Sequence, residues 1–146
     1  MRVVPLNSLE DTKKLAEELA AVARVGDVIA LQGDLGAGKS TFARYFITAC
    51  NPEISEVPSP TFTYVQLYDT PKFPIAHFDL YRVEDPMQLV EIGMQEALDT
   101  AVSLIEWPYQ VRGVEYPNKL EVTLEVSDSG RRAVIKPDAS WQDRVG

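Results

Sequence analysis

The sequence predicts an α/β fold: a mostly parallel central sheet with helices on both faces and an added antiparallel hairpin. Three observations predict it. The runs Val28-Ile29-Ala30-Leu31-Gln32, Ile75-Ala76-His77-Phe78-Asp79-Leu80 and Ala101-Val102-Ser103-Leu104-Ile105 lack an alternating polar face, as strands buried on both sides do. Segments with apolar residues at helical spacing lie between and around these runs. The first run passes directly into a glycine-rich turn, Gly33-Asp34-Leu35-Gly36-Ala37-Gly38-Lys39-Ser40, and then into the helical pattern Thr41 to Ile47.

Taken in order, Val3 and Val4 start an edge strand that Pro5 stops. Ser8, with Asp11 three residues on, caps a helix predicted over Leu9 to Val25, whose apolar face is Leu15, Leu19 and Val22. Gly26 is expected to end this helix and Asp27 to open the strand that feeds the glycine turn.

That turn fits the pattern Gly, four residues, Gly, Lys, then Ser or Thr, the Walker A motif of a P-loop NTPase-like fold. Without Cβ atoms, Gly33, Gly36 and Gly38 let the backbone curl its N–H groups onto phosphate oxygens, with Asp34, Leu35 and Ala37 completing the loop. The helix that starts around Thr41 aims its amide ends at the same place. Lys39 adds a point charge on the β/γ side, and the Ser40 hydroxyl is a ligand for Mg²⁺. A nucleoside triphosphate is the expected ligand.

Asn51-Pro52 breaks the next helix, and 53–60 is too rich in proline for regular structure. Thr61, held extended after Pro58 and Pro60, is either a switch residue that senses the γ-phosphate or part of a proline-stiffened connection. Thr63 to Tyr68 alternates as a strand, Asp69 to Lys72 turns, and the next strand ends in Asp79, placed like a Walker B acid or else a solvated strand-end acid. His77 lies two residues earlier on the same face and has no metal-ligand cluster around it, which favours a hydrogen-bonded structural role. Arg82 either points back to phosphate or pairs with Glu84 or Asp85 at the surface, the surface pair being favoured.

Asp85-Pro86 opens a helix with Gln88 completing its cap, Gly93 interrupts it, and a second piece runs through Leu98. The strand after it terminates in Glu106, which suits orienting or deprotonating water or holding Mg²⁺. Trp107 reads as a packing anchor ahead of a base-stacking platform. Because ligands gather beyond the carboxyl ends of parallel strands, Gly33, Asp79 and Glu106 are expected to converge. Leu120 to Val126 and Ala133 to Ile135 form the predicted hairpin, and the tail after Pro137 carries no motif. Asn118-Lys119-Leu120-Glu121 loosely matches a guanine-reading motif, but it has Glu for Asp and precedes a strand, so GTP is discounted.

Residues 1–146, 45% of them hydrophobic, read as a single domain. A net charge of −8 argues against binding nucleic acid through a broad surface of its own, which needs Lys and Arg. Cys50 is the only cysteine, so no intrachain disulfide is possible. No apolar run approaches the roughly 18 residues of a membrane span, and the N-terminus lacks a signal-peptide core. A cytoplasmic protein without a membrane partner is expected.

Gly-Asp-Leu-Gly-Ala-Gly-Lys-Ser-Thr-Phe, Ser-Pro-Thr-Phe, His-Phe-Asp-Leu-Tyr-Arg and Glu-Trp-Pro, in this order and spacing from Val3 to the final hairpin, resemble the bacterial TsaE (YjeE) ATPases. The resemblance implies an accessory ATPase for threonylcarbamoyladenosine, the modification beside the anticodon of tRNAs reading codons that begin with A. It implies ATP and Mg²⁺ as ligands, TsaB and TsaD as partners, and tRNA reached only through them. By that likeness Lys39, Ser40 and the loop backbone take the phosphates, Ser40 and Glu106 with Asp79 serve Mg²⁺, and Thr61 belongs to a mobile switch. It also implies that the base lies between the segment near Leu9 and the hairpin turn near Gly130. A small-molecule kinase and a nucleotide-binding subunit without turnover are the rival functions; the short chain has no evident spare segment for a kinase lid.

Overall fold

The computed structural model describes residues 1–145. The chain runs β1 (Arg2–Pro5), α1 (Leu9–Val22), β2 (Val28–Gln32), α2 (Lys39–Cys50), β3 (Val65–Tyr68), β4 (Ile75–Asp79), α3 (Pro86–Glu91), α4 (Met94–Thr100), β5 (Val102–Glu106), β6 (Lys119–Ser127), β7 (Gly130–Pro137) and α5 (Ala139–Val145). The strands form one sheet in the order β1-β7-β6-β2-β5-β4-β3. Its four central strands, β6, β2, β5 and β4, are parallel, and the antiparallel pairs β1–β7, β6–β7 and β3–β4 lie outside them.

The apolar runs are continuous because both faces of the central strands are covered. On one face Leu15 and Leu19 of α1 and Phe42, Phe46 and Ile47 of α2 pack on Ile29, Leu31, Val102 and Leu104. On the other, Leu89 of α3 and Met94 and Leu98 of α4 pack on Val28, Ala76, Phe78 and Ile105. Every residue of β4 and β5 is buried, Asp79 and Glu106 included. This burial of apolar surface is the main force holding the layers together.

The caps fall where their side chains require. Ser8 accepts a hydrogen bond from the Asp11 amide, while the Asp11 carboxylate accepts from the Asn7 amide instead of Ser8. Asp85 and Gln88 form the reciprocal cap of α3, with Pro86 in the first turn where no N–H is needed. α1 ends earlier than its apolar pattern suggested: Ala23 is the extended C-cap, and Gly26, at φ 95°, belongs to the turn that follows.

Two further differences concern the C-terminal part. β6 is the first strand of the hairpin and also a parallel neighbour of β2, so the hairpin is wired into the core of the sheet. The motif-free tail folds as α5, anchored by Trp141, which is fully buried and donates through Nε1 to Asn118 O.

Candidate functional site

β2 delivers the chain to the sheet's carboxyl edge at Gln32, and α2 leaves from Lys39, so the glycine loop spans 33–38. All three of its glycines take positive φ, and the two that flank the turn show why. Gly33 has φ 146°, and a Cβ there would lie 2.6 Å from Leu124 O of β6. Gly38 takes φ 108° as it starts α2, a conformation L side chains rarely adopt.

Around the loop lies a pocket of about 290 Å³ whose lining includes Gly38, Lys39, Ser40, Thr61, Asp79 and Glu106. Asp79 and Glu106 are direct partners in the β4–β5 register, which is why two strand-end acids stand side by side. The Ser40 hydroxyl donates to Glu106, 3.1 Å from Oε1 and 3.3 Å from Oε2. Thr61 Oγ1 donates to Asp79 Oδ2 at 3.1 Å and lies 2.7 Å from Ser59 Oγ, so the proline-rich loop is tied directly to the strand-end acid. Asp79 Oδ1 accepts from the Tyr81 amide.

Lys39 is nearly buried, and its ammonium donates to Gly33 O at 2.6 Å and Asp34 O at 3.0 Å. It also sits 4.3 Å from the centre of the Trp107 ring, a cation–π contact. Burial pushes the ammonium below its ordinary pKa, while the charges of Glu106, Asp79 and Asp34 pull it upward. Trp107 itself takes φ 57° and packs at 4.9 Å from Tyr81, half-buried against the second core.

The donor set fits a hard divalent cation bound together with phosphate. The Ser40 hydroxyl and two adjacent carboxylates supply hard oxygen donors for such a cation, with Lys39 and Arg131 as the positive groups of the same pocket. Among the described residues no group of three or more His, Cys, Asp and Glu is arranged to hold a metal by itself.

A second, larger cavity of about 820 Å³ opens on the other side of the loop, between 33–37 and the β6–β7 hairpin, with Arg131 and Arg132 on its wall. Leu9 lines a small recess beside Ala37, Gly38 and Thr41. Gly130 starts β7 and lines a separate groove near Val3 and Pro5, while the adjacent Arg131 borders that groove, the recess and both cavities.

Several contacts escaped the motif reading. His77 is fully buried, and its Nε2 lies 2.6 Å from Glu106 Oε2. The shared face of His77 and Asp79 was legible, but the neighbour across the sheet depends on register. Arg131 carried no motif at all. Arg82 does not make the favoured surface pair with Glu84 or Asp85; its guanidinium lies 4.5 Å from the ring centre of Phe62 in the Thr61 loop. Asn118 and Lys119 sit at the amino edge of the sheet, opposite Val28 and remote from the glycine loop.

Comparison with known proteins matches this arrangement. The family model described as threonylcarbamoyl adenosine biosynthesis protein TsaE covers residues 6–134. A protein of Rickettsia felis named tRNA threonylcarbamoyladenosine biosynthesis protein TsaE is 43% identical over 87% of this chain and 74% of its own length. Its namesake in Aquifex aeolicus is 38% identical over 92% of this chain and 94% of its own. The crystal structure of YdiB of Bacillus subtilis superposes with a TM-score of 0.76 at 29% identity, covering 93% of this chain and 84% of that one. With the family model spanning nearly the whole sheet and relatives of this identity along most of their length, the chain belongs to the TsaE family.

Proposed function

We propose that this chain is a Mg²⁺-dependent ATPase of tRNA threonylcarbamoyladenosine biosynthesis, acting as an accessory to TsaB and TsaD. The pathway is that of the family and of the relatives' names. The chemistry rests on one observation: the Ser40 hydroxyl meets the buried Glu106 carboxylate at the mouth of the glycine loop, beside Asp79 and Thr61.

The loop amides and Lys39 bind the phosphates. Lys39 is already desolvated, and exchanging its two carbonyl partners for phosphate oxygens replaces neutral acceptors with charged ones. Ser40 and Glu106, with Asp79 alongside, would hold Mg²⁺, which when bound neutralises charge on the β/γ oxygens. Glu106 and Asp79 are the groups placed to orient an attacking water and to accept its proton. Thr61 couples the proline-rich loop to Asp79, so that any shift of Asp79 toward ligand is felt by the loop. Trp107 and the buried strand ends limit water around Lys39.

Glu106→Ala tests the assignment. The variant is expected to keep ATP bound, since Lys39 and the loop amides are untouched, while hydrolysis falls by about 100-fold or more. Wild-type turnover by Glu106→Ala, with calorimetry confirming bound nucleotide, would remove Glu106 from the chemistry.

A further inference from the structure

His77 stands in the middle of β4 between Ala76 and Phe78, on the face that carries Asp79, and no part of it reaches solvent. An imidazole in that position costs desolvation that an apolar side chain would avoid. Its hydrogen bonding is incomplete in an informative way. Nε2 lies 2.6 Å from Glu106 Oε2, whereas Nδ1 is buried with no partner. A histidine kept for packing or for a core network would be expected to satisfy both nitrogens; this one spends its single bond on the carboxylate that also receives Ser40. Because a carboxylate oxygen only accepts, Nε2 carries the hydrogen of this contact.

We propose that His77 is a positioning residue for the cation site: its Nε2–H holds Oε2 of Glu106 and leaves the remaining carboxylate lone pairs facing Ser40. The inference rests on the Mg²⁺–ATP reading above. In the structure Glu106 is fixed by two groups, and the Ser40 hydroxyl would turn to the cation when one binds. His77 then remains as the carboxylate's protein anchor, the role that outer groups play for metal ligands generally.

The test is calorimetric binding of a non-hydrolysable ATP analogue across a Mg²⁺ series, for the wild type and for His77→Gln, His77→Asn and His77→Leu. The glutamine amide nitrogen can occupy the place of Nε2, whereas that of asparagine reaches only the place of Nδ1. His77→Gln is expected to keep the wild-type Mg²⁺ midpoint. His77→Asn and His77→Leu are expected to need roughly 10- to 100-fold more Mg²⁺, with analogue affinity in the absence of Mg²⁺ equal in all four proteins. Equal midpoints for the glutamine and asparagine variants would overturn the proposal, as would a parallel loss of Mg²⁺-free affinity. If the leucine variant fails to fold, the glutamine–asparagine comparison alone decides. Should wild-type binding ignore Mg²⁺, the metal reading itself falls and the role of His77 with it, an outcome distinct from a change confined to the variants.

Discussion

Glu106 is the residue on which the site turns. It accepts from Ser40, meets His77 and pairs in register with Asp79, all from the last position of a fully buried strand. Lys39 is its counterpart in charge, desolvated and hydrogen bonded to loop carbonyls that phosphate would replace. Removing the ammonium deletes charge-assisted hydrogen bonds worth about 1.5–3 kcal/mol each. Lys39→Ala is therefore expected to weaken triphosphate binding by at least roughly 10- to 100-fold, and unchanged affinity in calorimetry would exclude the phosphate role. At this scale the sequence was most informative for Gly33, Lys39, Ser40, Asp79 and Glu106, because a glycine spacing and two strand-end acids carry their chemistry locally. The partners of His77 and Arg82 lie on other segments, Glu106 on β5 for His77 and Phe62 in the Thr61 loop for Arg82, and no local pattern encodes such pairings.

Among the elements, α5 was invisible in the sequence because a helix of this length has little periodicity of its own to show. Tertiary contacts make it. Arg144 grips Asp27 through both terminal nitrogens and Val22 O through one of them, clamping α5 to the turn between α1 and β2. The pair is nearly buried, with side-chain exposures of 9% and 4%. Asp27→Ala would strand the guanidinium, and a loss of about 3–5 kcal/mol in urea unfolding is expected; a loss below about 1 kcal/mol would show the clamp to be a surface pair.

Asp138 starts α5 by accepting from the Ser140 amide and hydroxyl and from the Lys119 amide. Burial raises its carboxyl pKa, but hydrogen bonds from Ser140 and from the backbone outweigh burial and leave it below the ordinary aspartate value. The folded chain therefore prefers the charged form more than the unfolded chain does. Its stabilisation is complete above the ordinary aspartate range and is lost as pH falls through the lowered value. Asp138→Asn should lower stability at neutral pH and shrink its decline in acid, read from unfolding free energies across a pH series. An acid limb identical to the wild type would refute the cap.

For the whole molecule, the central parallel strands were legible from their continuous apolar runs, and the convergence of Gly33, Asp79 and Glu106 followed from the rule for parallel sheets. Strand order was not, since β6 joins β2 through pairings more than eighty residues apart in sequence. The result concentrates the glycine loop, both acids, Thr61 and Trp107 at one sheet edge, while the chain as a whole carries a net charge of −8. That charge argues against binding nucleic acid through a broad basic surface of its own. The proposed function is ATP turnover in the service of TsaB and TsaD. Its most direct test follows γ-labelled ATP with this protein alone and then with TsaB and TsaD added. Label is expected as free phosphate, released faster when TsaB and TsaD are present; label transferred to a small metabolite, or a rate indifferent to TsaB and TsaD, would overturn that function.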